Sequence, residues 1–158
     1  MTPPETPEDP LAAGLQAALA AEHAAIYGYG IVGAYLLTDQ RAVARQAWDA
    51  HRRRRDRLRA ILAARGVSPV SAAPAYRLPR IVDGPQSAAR LAARLEEGAV
   101  DAYLGLVAVD DPGLRRYAAQ AMQDCARRAA HWRGSTSAFP GLPPRAIYGP
   151  TRKESPRS

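Results

Sequence analysis

Between Val67 and Pro85 the chain carries Pro69, Pro74, Pro79 and Pro85, and no helix runs through prolines at that spacing. Before this break lie two stretches of helical periodicity, one ending near Leu37 and one near Arg65, with almost nothing between them. After it lie two more, from about Gln86 to Val109 and from Pro112 to about Arg133, again joined by only a few residues. Links that short force antiparallel neighbours. The long link reaches about 60 Å when extended, and helices of these lengths span about 35–40 Å at 1.5 Å per residue. The link can therefore travel the whole length of a bundle. The expectation is an all-α protein: an antiparallel four-helix bundle of two helical hairpins joined by one long crossover.

Local signals agree with these boundaries. Asp9 with Pro10, and Asp111 with Pro112, are cap-plus-proline starts. Thr38 or Asp39 is placed to cap the second helix, and Gly66 and Gly134 to end the second and fourth. Gly28, Gly30 and Gly33 weaken the second half of the first helix unless a neighbour approaches closely there. The domain reading is a disordered N-terminus over residues 1–9, the bundle over 10–134, and a C-terminal tail over 135–158. Phe139, Leu142 and Ile147 are expected to dock on the bundle and the last residues to be disordered. No internal repeat beyond the two hairpins is read.

Composition narrows the function classes. With 158 residues and 47% hydrophobic side chains, the chain suits one domain with a proper core. A single cysteine, Cys125, excludes an internal disulfide framework and a cysteine zinc site. No apolar run approaches the ~20 residues that cross a bilayer, so no membrane partner is expected. The acidic, proline-rich start is no signal peptide, and a cytoplasmic location follows by default. The net charge of +7 is carried by arginine, with Lys153 the only lysine. Such a balance invites a nucleic-acid reading, but charge alone supplies no groove or base geometry.

The helical faces are more informative. On the first helix Leu11, Leu15, Leu19, Ile26, Tyr29 and Leu36 share a stripe with Glu22 at its centre and His23 at its flank. On the second, His51, Arg54 and Arg55 fall inside the apolar sector, while Arg52, Arg53, Asp56, Arg57 and Arg59 point elsewhere. On the third, Glu96 lies within the stripe of Leu91, Leu95, Ala102, Tyr103 and Leu106, with Glu97 and Asp101 facing out. On the fourth, Arg128 is inside and Asp124 at the edge. These residues sit near the midpoints of their helices, and midpoints meet in an antiparallel bundle. Charges from all four helices therefore converge on one level, where a buried glutamate must pair, bind a cation or take up a proton. Cys125, Trp48, Trp132 and Tyr103 read as core fillers, and Tyr27, Tyr29 and Tyr35 as core or interface residues. His23 and His131 read as stripe-edge histidines.

The segments AALAAEHAAIYGYG (Ala17–Gly30), AHRRRRDRL (Ala50–Leu58) and ARLEEGAVDAYLGLV (Ala93–Val107), with the DCARRAAHWRG…AFPGLP ending, resemble the ferritin-like superfamily. The resemblance is closest to an uncharacterised bacterial ferritin-like family, domain of unknown function 4439. Di-iron members of the superfamily place single glutamates on helices one and three and Glu-x-x-His on helices two and four. The resemblance maps Glu22 and Glu96 onto the single glutamates. Helix two offers Trp48-x-x-His51 and helix four Asp124-x-x-Arg127, and His131 is seven residues beyond Asp124. No Glu-x-x-His occurs in the chain.

A guanidinium cannot coordinate a metal. The centre therefore reads as a degenerate, arginine-substituted site, a salt-bridge cluster of Glu22, His51, Arg54, Arg55, Glu96, Asp124 and Arg128. No metal or cofactor is favoured. The alternative is iron or another divalent metal on Glu22, His51 and Glu96. No catalytic residue is assigned. The leading expectation is a non-catalytic binding or interaction module for a protein partner or a small anionic ligand. A metal-binding oxidoreductase or iron-handling protein is the alternative, and a basic nucleic-acid-associated protein a further one. A homodimer is left open.

Overall fold

The computed structural model describes residues 9–134, so the expectations for residues 1–8 and for the tail 135–158 lie outside the described residues. Within them, α1 spans Pro10–Tyr35, α2 Thr38–Ala64, α3 Pro85–Tyr103 and α4 Pro112–Arg133. α1 packs along both α2 and α3, and α3 along α4. α2 and α4 approach less closely and are bridged by long side chains.

The starts and stops follow the chemistry of the sequence. Asp9 accepts from the Leu11 amide and Asp111 from the Leu114 amide, which satisfies donors that a helix start leaves free. α2 differs from expectation: its cap is Leu37, with no side-chain bond, and Thr38 already lies within the helix. At its end Gly66 takes φ +70°, and the amides of Gly66 and Val67 return to the Ala63 and Leu62 carbonyls. That paired closure needs a left-handed residue, which glycine supplies. Ser87 receives the Asp83 and Gly84 amides at the head of α3.

α3 is shorter than its periodicity predicts. It ends at Tyr103 rather than near Val109, and Leu104–Leu106 form a 3-10 turn. The tighter turn places Leu106 in the core, against Gly14 of α1. A Cβ on Gly14 would lie 2.9 Å from Leu106 Cδ2, so any larger residue there would force the leucine side chain to shift.

The crossover climbs along α1. Gln16 Nε2 donates to the Ser68 carbonyl at 2.7 Å and Gln16 Oε1 accepts from the Val70 amide at 2.8 Å. His23 bonds the Val70 carbonyl, and Tyr76 stacks at a tilt on Tyr27. The core falls into two apolar clusters. One holds Leu15, Leu19, Leu58, Leu62, Tyr103, Leu106 and Leu114; the other holds Tyr29, Val32, Leu36, Ala47, Leu91 and Trp132. Between them lies a polar layer.

Candidate functional site

The polar layer is built from Glu22 on α1, His51 on α2 and Glu96 on α3, each wholly inaccessible to solvent. His51 lies between the two acids. Its Nδ1 is 2.5 Å from Glu22 Oε2 and its Nε2 is 3.3 Å from Glu96 Oε1. Tyr103 donates its hydroxyl to Glu22 Oε1 at 2.7 Å, and Tyr29 donates to Glu96 Oε1 at 2.6 Å. Trp132 Nε1 of α4 donates to the Tyr29 oxygen at 2.9 Å. The result is a continuous chain of bonds from Trp132 through Tyr29, Glu96, His51 and Glu22 to Tyr103.

From sequence alone, two of these partners, Tyr29 and Tyr103, look only like core or interface residues. The signal for their role is a spacing shared by the first and third helices. Tyr29 stands seven positions after Glu22, and Tyr103 seven positions after Glu96. Seven residues are close to two helical turns, so each tyrosine shares its glutamate's face about 10.5 Å along the axis. Side chains on a helix lean toward its N-terminus. Because α1 and α3 are antiparallel, both rings lean back toward the central level, and each hydroxyl reaches the glutamate of the opposite helix.

Electrostatics fit this arrangement. Burial works against a charge on the His51 ring, but the bonds and charges of Glu22 and Glu96 outweigh it and hold its pKa above the ordinary value. Burial would likewise raise the Glu96 pKa. The hydrogen bond and charge of His51, with Arg128 and Tyr29, overcome that and hold it below the ordinary carboxyl value. Burial first, and the neighbouring glutamate next, push the Tyr29 and Tyr103 hydroxyls far upward, so both remain phenols and donors.

The arginines occupy different places from those expected. Arg54 is buried but meets neither central acid; its guanidinium bonds Asp124 Oδ2 at 2.9 Å and Cys125 Sγ at 3.4 Å. Asp124 also pairs with Arg127. Arg128 approaches Glu96 Oε2 at 3.6 Å, an ion pair too long for a hydrogen bond. Glu96 Oε2 and Arg128 NH1 have no hydrogen-bond partner. Arg55 does not join the cluster and folds onto its neighbour Asp56. Successive helical residues turn by about 100°, so Arg54 and Arg55 cannot both face the axis. The expectation that guanidinium groups neutralise both glutamates therefore needs correction. The histidine lies between the two acids, and one arginine flanks Glu96.

Other residues fall near their expected places. Cys125 is buried, and burial raises its thiol pKa well above the ordinary value, which removes thiolate character. Trp132 is in the core, but Trp48 is only half-buried, with the guanidinium groups of Arg45 and Arg52 over its ring. Glu97 pairs with Arg133 of α4. The Tyr117 hydroxyl is buried without a partner, under the Arg57 guanidinium 4.3 Å from the ring centre.

The side chains of the donor set face one another. An imidazole offers one nitrogen to a given ion, and the two nitrogens of His51 point to different glutamates. Glu22, His51 and Glu96 thus do not converge on one point. Among the described residues no group of three or more His, Cys, Asp or Glu side chains is placed to hold a metal ion.

A four-helix bundle of two hairpins, centred on a buried Glu–His–Glu layer, is the class of protein these observations define. The chain belongs to the family described as Domain of unknown function (DUF4439), whose model matches residues 14–144. It is similar to a solved crystal structure of a conserved hypothetical protein, Rv2844, from Mycobacterium tuberculosis. The two are 37% identical; the match covers 82% of this chain and 98% of that one, with a TM-score of 0.78. No curated protein matches significantly. Among the described residues no helix is long and apolar enough to cross a membrane.

Proposed function

We propose that the chain is a ferritin-like bundle acting as a non-catalytic binding or interaction module, with its own hydrogen-bonded side chains filling the position of the metal. One observation carries this reading: both ring nitrogens of His51 are engaged, each by a different buried glutamate. Hard divalent iron needs carboxylate and imidazole lone pairs aimed at a common point. Here those groups are aimed at each other, and the Arg128 charge lies 3.6 Å from the remaining Glu96 oxygen. The two acids, His51 in its charged form and Arg128 sum to zero charge, so the layer is neutral without a cation from outside.

The central arginines are engaged by Asp124, Cys125 and Glu96, so an acidic partner would meet exposed arginines instead, such as those on the outer face of α2. Arg53 and Arg59 lie exposed on it. The test is metal analysis of the purified protein after chelator treatment and after reloading with ferrous iron, beside Glu22→Ala and Glu96→Ala. The expected result is iron far below one per chain in all three. Stoichiometric iron in the parent protein that disappears in both variants would establish the oxidoreductase or iron-handling alternative instead.

A further inference from the structure

Where α1 and α4 finish, the end of the crossover, the first part of α3 and the end of α4 enclose an open groove of about 850 Å³. Val82, Leu91, Ala93 and Trp132 line it, and Ile81 stands at its mouth with 86% of its surface exposed. A lone exposed isoleucine is ordinary. This one is continuous with an apolar cluster that runs into the core through Val82, Leu91 and Trp132.

The last helix ends at this groove. Trp132 and Arg133 line it, and Gly134, at φ +70°, ends the helix. The sequence beyond divides sharply. Residues 135–144, STSAFPGLPP, carry no charge, whereas 145–158 contain Arg145, Arg152, Lys153, Glu154 and Arg157. The family match ends at residue 144, where the uncharged stretch ends. The family therefore shares a segment beyond the last helix that the four helices do not account for.

We propose that residues 138–144 of the same chain occupy this groove, with Phe139 and Leu142 against Ile81, Leu91 and Trp132. Phe139 lies five residues past Gly134, a reach of about 16 Å when extended. Pro140, Pro143 and Pro144 have no amide hydrogens, so the segment brings few donors that the apolar part of the groove would leave unsatisfied. Arg80, Arg90 and Arg94 also line the groove with Asp83, and Glu97 there is paired with Arg133, so the excess charge of the lining is positive and repels the arginines and lysine that follow. Docking stops where the charge begins. The proposal concerns one end of the bundle and stands whether or not the centre takes a metal.

Amide hydrogen exchange on the full chain tests it. The amides of Ala138, Phe139, Gly141 and Leu142 are expected to exchange about tenfold or more slowly than those of residues 151–158, since docked segments are protected and solvated ones are not. Ile81→Asp alters an exposed side chain and leaves the helices in place. It should bring the four amides to the rate of the last eight residues, while helical amides of α3 keep their protection. Phe139→Asp should do the same. Equal rates in the parent chain overturn the proposal, as does protection that survives both variants. Protection that grows with protein concentration and fades on dilution also overturns it, because the groove would then hold the segment of a second copy.

Discussion

An indole N–H can only donate, so Trp132 sets the direction of the bonds that follow. Because it donates to the Tyr29 oxygen, the Tyr29 hydrogen points to Glu96, which must accept. The same oxygen of Glu96 faces His51 Nε2, so that nitrogen donates as well. Each side chain thus constrains the next, and removing one leaves its neighbours unsatisfied. Glu22→Gln places an amide opposite His51 Nδ1 and removes an acceptor from a fully buried pair. Breaking such a pair costs about 3–5 kcal/mol, so the melting temperature should fall by many degrees in thermal denaturation. An unchanged melting temperature would mean that Glu22 and His51 are not coupled. Glu22, His51 and Glu96 were legible in the sequence because a charge inside an apolar stripe stands out. Tyr29 and Tyr103 were not, because a phenol on the same stripe looks like any other core residue. Sequence alone does not separate Arg55 from Arg54, because a stripe drawn wide enough to hold Arg54 also admits its neighbour.

Helices were the most readable part of the chain, since caps, prolines and terminal glycines are local chemistry. The end of α3 was not, because its unwinding serves a contact between Leu106 and Gly14, far away in sequence. The glycines of α1 divide in a similar way. A Cβ on Gly28 would lie 2.5 Å from Leu95 Cδ1, whereas added atoms at Gly30 and Gly33 would meet nothing within 4 Å. Gly28 is therefore where α3 comes close, and the other two face open space. Gly28→Ala should destabilise by about 1–3 kcal/mol through overpacking. Gly30→Ala and Gly33→Ala should each stabilise by up to about 1 kcal/mol through helix propensity. Chemical denaturation of the three variants checks the split. Equal effects at all three positions would mean that α1 and α3 are not in close contact at Gly28.

For the whole molecule, the polar layer ties stability to pH in two directions. His51 binds its proton more tightly in the folded chain than in the unfolded one. Its contribution is therefore complete below the ordinary imidazole value and is lost as pH rises through the folded value. Glu96, held below the ordinary carboxyl value, contributes fully above that value and loses its contribution as pH falls through the folded one. Melting temperature plotted against pH should show a plateau with an acid limb from Glu96 and an alkaline limb from His51. His51→Gln should lower the plateau and flatten the alkaline limb. An alkaline limb that survives this substitution would show that the ring carries no proton-linked stability.

The same layer separates two apolar clusters that are rich in alanine and leucine. Such surfaces grip almost as well after a small slide along the helix axis. The bonds between α1 and α3 do not. Moving α3 by one turn, about 5.4 Å, would take Glu96 away from His51, Tyr29 and Arg128 together and pull Tyr103 from Glu22. The buried acids thus act as an index mark, fixing at a single setting two helices that greasy contact alone would leave free to slip.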